Sequence, residues 1–204
     1  MSSDQLSLFT DPEPACAETF ARVERLWLDE TSWVEIAQGW VSGGDTLLRR
    51  LAATAPFEQR RRWIYNEQVA EPRLTAEYRD LTAVPDPFLV TLSGALSRHY
   101  GLAYDGLWMN LYRDHRDSTG WHGDRAMCKR AECVVPVLSL GATRRFHLKS
   151  RAGGPSTVLV PASGDLVVMG GRCQTDWRHC VPKQARPAGP RISVNFSSTA
   201  QAEP

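Results

Sequence analysis

The sequence predicts a mainly β chain with flanking helices, an α+β arrangement around an all-β core. Three observations carry that prediction. From residue 107 onward, short runs rich in β-branched and aromatic residues are separated by glycine-marked turns. Only two earlier stretches, 46–55 and 87–100, show clear helical spacing. With 204 residues, 42% hydrophobic and 23% charged, the chain has the size and make-up of one packed domain.

Residues 1–18 are polar and acidic, with Pro12 and Pro14, and read as a loosely ordered tail. Residues 19–31 fit a short helix or an extended segment equally well. Trp33-Val34-Glu35-Ile36 alternates as a strand does. Gly43-Gly44 breaks the chain, and Asp45 is the expected N-cap of a helix over 46–55, whose Leu47, Leu48 and Leu51 share a face. Pro56 ends it. Residues 58–80 are the least regular. A second helix starts at Pro85-Asp86-Pro87 and runs to Tyr100, with Phe88, Leu92, Leu96 and Tyr100 at helical spacing and Gly101 as its stop. Strands are expected at 107–112, 132–140, 144–149, 156–161, 165–169, 177–181 and 190–197, with a polar loop between the first two. Many short strands with regular turns imply a sandwich or barrel, and the double-stranded β-helix (the jelly roll of cupin-like proteins) fits. There are no internal repeats.

No apolar run approaches the ~20 residues that a membrane helix needs. Met1–Phe9 has neither a basic start nor a long apolar segment, so no secretory leader is expected. The five cysteines are odd in number and fit no zinc spacing, which points to reduced thiols in a soluble, cytoplasmic protein. Charge is uneven. Residues 1–57 carry four Arg against nine acids, whereas residues 107–197 carry fourteen Arg or Lys against six acids. The excess of cations over the last half suits a polyanionic partner.

The chemistry gathers at His122-Gly123-Asp124. In extended chain, residues two apart face the same way, so one imidazole and one carboxylate can meet one point. They are two thirds of the two-His-one-carboxylate set that holds non-haem Fe(II); zinc is the alternative for the same donors. His179 lies in the run Asp176–Pro182, and Arg191 opens the strand Arg191–Phe196. In order along the chain stand Asn110-x-Tyr112, His122-x-Asp124, Ser139-Leu140-Gly141, His179 and Arg191. This series resembles the AlkB family of Fe(II)/2-oxoglutarate dioxygenases over about the last hundred residues, and more loosely over some sixty before them.

The resemblance implies a division of labour. His122, Asp124 and His179 would be the catalytic metal ligands, leaving room for a 2-oxo acid and O2 on iron. Arg191 would clamp the remote carboxylate of 2-oxoglutarate with a forked pair, and Asn110 and Tyr112 would hydrogen-bond it. Residues 19–204 would form one domain, 19–106 supplying a substrate lid with supporting helices and 107–197 the jelly-roll core. Trp63, Tyr65, Arg73 and Tyr78 are the lid candidates, because aromatic residues among arginines suit stacking on bases and pairing with phosphates. Arg145, just past the Ser-Leu-Gly turn, is a further contact candidate. The implied activity is oxidative demethylation of N-alkylated bases in DNA, or in RNA, with release of formaldehyde, succinate and CO2, by a monomer that flips its target base.

The chain departs from the family pattern in places. The family's second Arg, six positions after the first, is Ser197 here, and Arg178 or Arg186 are the candidate substitutes. Its Asn two after the first Arg is Ser193. The acid that repair members carry two residues past the ligand Asp is Ala126, beside Arg125. These departures keep two other readings open: the same oxygenase chemistry on a protein or small molecule, and a cupin-like binding module without turnover.

Overall fold

Strands buried on both faces organise the molecule. A computed structural model describes residues 12–17, 19–20, 23–64, 66–125 and 127–202. In chain order, β1 (Ala15–Cys16), β2 (Val23–Trp27), β3 (Ser32–Ala37) and β4 (Val41–Ser42) precede helix α1 (Gly44–Thr54). Then come β5 (Arg61–Ile64), β6 (Glu67–Ala70), β7 (Leu74–Tyr78) and helix α2 (Phe88–Tyr100). The second half holds β8 (Gly106–Tyr112), β9 (Thr119–His122), β10 (Val135–Gly141), β11 (Phe146–Ser150), β12 (Thr157–Leu159) and β13 (Leu166–Gly171). It closes with α3 (Cys173–Asp176), β14 (Trp177–Val181), β15 (Arg191–Ser197) and α4 (Thr199–Ala202).

Two antiparallel sheets face each other. The large one runs β2-β3-β13-β10-β15-β8-β7, and the small one β12-β11-β14-β9. Alternation along each large-sheet strand divides its residues between two cores. Leu138, Leu166, Val168, Leu107, Met109, Ile192, Val194 and Phe196 pack outward, with Leu47 and Leu51 of α1 and Leu89, Leu92 and Leu96 of α2. Val135, Val137, Val167 and Met169 point inward, against Phe146, Leu148, Trp177 and Val181 of the small sheet. Each such side chain taken fully from water contributes about 1.5–3 kcal/mol. This is the jelly roll, and none of its described helices is long and apolar enough to cross a membrane.

Several expectations change. The strand expected at 33–36 is present as β3, and β2, β3 and β7, from the part expected to supply a lid and supporting helices, belong to the large sheet. The open segment 19–31 is extended where β2 pairs with β3. Asp45 is not the N-cap of α1: Gly43 takes that place in the left-handed region at φ 68°, and Asp45 falls in the first turn. Only glycine holds that conformation without strain. The polar loop after β8 contains β9, because its residues add to the edge of β14. Cys128 and Cys133 form a disulfide, so the reading of five free thiols fails at that pair; Cys16, Cys173 and Cys180 are free. Spacing alone does not show this pairing of two cysteines five residues apart. The expected tail lies mostly outside the described residues.

Candidate active site

The small sheet brings the ligand candidates together by register. His179 on β14 sits directly opposite His122 on β9, and their rings stand 4.2 Å apart between centroids. Asp124, just past the end of β9, turns its carboxylate between them. Its Oδ1 lies 3.4 Å from His122 Nε2 and its Oδ2 3.4 Å from His179 Nε2. One donor atom from each of the three lies within 4.8 Å of the other two, the one such group among the described residues. Gly123 must lack a side chain here, because a Cβ would come 2.7 Å from the Gln174 carbonyl oxygen.

Neighbouring groups fix each ligand. The Asp124 amide donates to Gln174 Oε1 at 2.8 Å. His122 Nδ1 lies 2.8 Å from the Gly120 carbonyl, so an N–H there leaves Nε2 to face the carboxylate. His179 stacks on Phe146. Burial pushes the His179 pKa down to about 4, against the pull of Asp124, so this ring is neutral near pH 7 with a lone pair to offer. Burial also lowers His122, but the hydrogen bond and charge of Asp124 outweigh it, and its pKa is raised. Asp124 in turn is held below the ordinary carboxylate range: burial opposes ionisation, and the two histidines more than offset it. A metal ion would take the place of the shared proton.

The facing wall belongs to β8 and β15, where the inward positions are polar. Asn110, Tyr112, Arg191, Ser193 and Asn195 all line one narrow cavity with the three ligand candidates. Arg191 is 2% exposed. It pairs in register with Tyr112, lies over its ring at 5.2 Å and donates from Nη2 to Ser139 Oγ at 2.9 Å. Its Nε and Nη1 have no partner among the described residues. Burial pushes its pKa down. A buried cation with two idle donors and no carboxylate beside it calls for an anionic ligand. Asn110 is oriented by its neighbours: Oδ1 accepts from Arg73 Nε at 3.0 Å and Thr75 Oγ1 at 3.2 Å, which turns Nδ2 toward Ser193. The Tyr112 hydroxyl shares a hydrogen bond with Thr119 at 2.8 Å.

A second, open cavity of about 490 Å³ adjoins the first and shares Trp108, Asn110, His122 and Asp124 with it. Arg60, Arg73, Glu77 and Arg79 form its other wall. Of the lid candidates among the described residues, Arg73 alone lines it. Trp63, on the β5–β6 hairpin, is 68% exposed and lines neither cavity. Tyr78 is a core residue, 9% exposed. Tyr65 lies outside the described residues, as does Ala126. Arg145 is exposed and away from both cavities, while its neighbour Arg144 is 1% exposed. Arg178 and Arg186 are exposed too, and neither lines the cavity. Sequence reasoning missed Arg60, Arg79, Trp108 and Asn195. The alternation of β8 and β15 could have found Trp108 and Asn195, which share the face of Asn110 and Arg191.

Two imidazoles and a carboxylate stand on one side, as a group that could hold a metal ion, with a buried guanidinium opposite. Residues 45–197 match the 2OG-Fe(II) oxygenase superfamily. The chain is 32% identical over 176 residues to the human alpha-ketoglutarate-dependent dioxygenase alkB homolog 3, covering 76% of this chain and 62% of that one. It is 29% identical over 119 residues to the DNA oxidative demethylase ALKBH2 of Arabidopsis thaliana, covering 47% of this chain and 38% of that one. Its fold is similar to that of OsALKBH1, with a TM-score of 0.60 at 15% identity, over 85% of this chain and 100% of that one. The chain belongs to the 2OG-Fe(II) oxygenase superfamily and, within it, to the AlkB family. It spans about 60% of the length of the alkB homolog 3 proteins it matches. The family's cofactors are Fe(II), 2-oxoglutarate and O2, and the donor set and idle guanidinium fit them.

Proposed function

We propose that this dioxygenase oxidatively demethylates N-alkylated bases in nucleic acid, DNA before RNA. The observation that carries the reading is the open cavity beside the ligand candidates, with Arg60, Arg73 and Arg79 along one wall and Trp108 between the two chambers. It has room for a base turned out of its strand, with guanidiniums at hand for phosphate. The curated relatives named as demethylases support it.

In this reading His122, Asp124 and His179 would hold Fe(II). Arg191 pairs with the remote carboxylate of 2-oxoglutarate, and Asn110 and Tyr112 fix the cosubstrate's orientation. When bound, iron with 2-oxoglutarate and O2 supplies the oxidising power that hydroxylates the N-methyl group, which then leaves as formaldehyde beside succinate and CO2. The apolar residues Val137, Phe146, Met169 and Val181 around the inner chamber exclude water from it.

The test is incubation with Fe(II), 2-oxoglutarate and an N-methylated single-stranded oligonucleotide, beside its unmethylated twin. Succinate and formaldehyde should appear together, and only with the methylated strand. Succinate without demethylation would remove the substrate while leaving the oxygenase. One observation favours a protein or small molecule instead: the cavity's cations carry their own acids, Arg60 with Glu77 at 2.7 Å and Arg73 with Glu71 at 2.9 Å. That substrate class predicts little salt dependence, whereas a phosphate-tracking site loses affinity steeply with salt.

A further inference from the structure

We propose that Arg144 is a positioning residue for the cosubstrate: a second buried positive charge that tunes the Arg191 end of the cavity to ligands with two carboxylates, without touching them. The proposal rests on Arg191 as the clamp for the remote carboxylate.

Arg144 and Arg145 are adjacent on the turn into β11, but only Arg144 points inward. Its Nη1 donates to the Asp114 carbonyl at 3.0 Å, and its Nη2 to the carbonyls of Asp117 at 2.7 Å and Pro182 at 2.8 Å. It thereby ties the loop after β8 to the segment after β14, the two segments that flank this end of the barrel. Carbonyls satisfy N–H groups but cancel no charge. The nearby acids are paired elsewhere, Asp114 with Arg116 at 2.7 Å and Asp117 with Arg113 at 2.8 Å, and their pull on Arg144 is outweighed by its burial.

Both buried guanidiniums lie against one ring, Arg144 at 5.6 Å from the Tyr112 centroid and Arg191 at 5.2 Å. They are thus within about 11 Å of each other, near one Debye length, in surroundings where screening is weak. Burial pushes the pKa of Arg144 down, and the Arg144 charge adds to the downward push on Arg191. Two like charges around one cavity end are unfavourable until an anion arrives there. A clamp of purely mechanical purpose needs N–H donors only, and a neutral amide could supply them. The cation adds attraction for a ligand's far carboxylate, and none for a ligand that ends in a methyl group.

The experiment compares 2-oxoglutarate with 2-oxopentanoate, which has the same chain length but lacks the second carboxylate. Binding is measured by calorimetry on Mn(II)-loaded protein, with no turnover. Arg144→Gln, which keeps donors for the carbonyls, should bind 2-oxoglutarate about tenfold more weakly, about 1.4 kcal/mol, with 2-oxopentanoate changed less than twofold. Arg144→Lys should keep the wild-type preference. Equal losses for both ligands, or none for 2-oxoglutarate, would overturn the proposal and leave Arg144 a structural clamp. Should Arg144→Gln not fold, Arg144→Lys decides alone: retained discrimination supports the charge, lost discrimination refutes it. Arg191→Met is the control. If it leaves 2-oxoglutarate binding intact, the clamp reading itself is wrong, whatever Arg144 does.

Discussion

Arg191 and Arg73 line two adjoining cavities and are built in opposite ways. Arg191 is buried on a central strand with two N–H donors idle and no acid beside it. Arg73, just before β7 at the sheet's edge, is engaged by Glu71 and by Asn110. The first arrangement is unfavourable by itself and makes sense only with a ligand anion in place. The second is complete without one. The surroundings of Arg191 are therefore built to receive an anion, while those of Arg73 are complete and would have to rearrange to take one.

That contrast can be broken at several points. Replacing His179 or Asp124 by Ala should abolish the centre: metal affinity measured by calorimetry should fall by more than the roughly 10–100-fold typical for loss of an outer partner. Gln174→Ala, which removes such a partner from Asp124, should stay within that range. Arg191→Met should weaken 2-oxoglutarate by about 100-fold or more, in line with the roughly 3–5 kcal/mol cost of breaking a buried pair, and leave metal affinity unchanged. Arg73→Ala should be milder, about tenfold in oligonucleotide affinity, with a salt slope shallower by about one.

The smallest effect lies outside the site. Asp29 accepts from Thr31 N, Ser32 N and Trp177 Nε1, tying the β2–β3 turn to β14. Burial alone would raise its pKa, but these bonds hold it at about 2. A carboxyl lowered on folding stabilises above its unfolded pKa of about 4, and that contribution is lost as pH falls toward 2. Asp29→Asn should cost about 1 kcal/mol at pH 7 by chemical denaturation, and the gap to wild type should close as the pH is lowered from 4 to 2.

The same contrast explains what could be read beforehand. Residues on β8 and β15 alternate so regularly that Asn110, Tyr112 and Arg191 fall on one face with no further information, and the order of ligand candidates along the chain follows the family. Their meeting across β9 and β14 is a matter of register, which the sequence does not state. The hairpin and edge region was read poorly. Tyr78 looked like a lid residue because aromatic and arginine positions interleave there, but strand alternation turns it into the core. Arg145 was the expected contact, yet Arg144 is the buried one, because which of two neighbours points inward depends on where the turn ends. The Cys128–Cys133 bond arises from a loop whose path no local pattern encodes.

Co(II), standing in for Fe(II), offers the most direct check on the metal centre. Titrated into the protein, it should bind at one ion per chain, its absorption bands should move when 2-oxoglutarate is added, and His179→Ala should show neither behaviour. Full binding with unchanged bands in that variant would mean that His122, Asp124 and His179 are neighbours and nothing more.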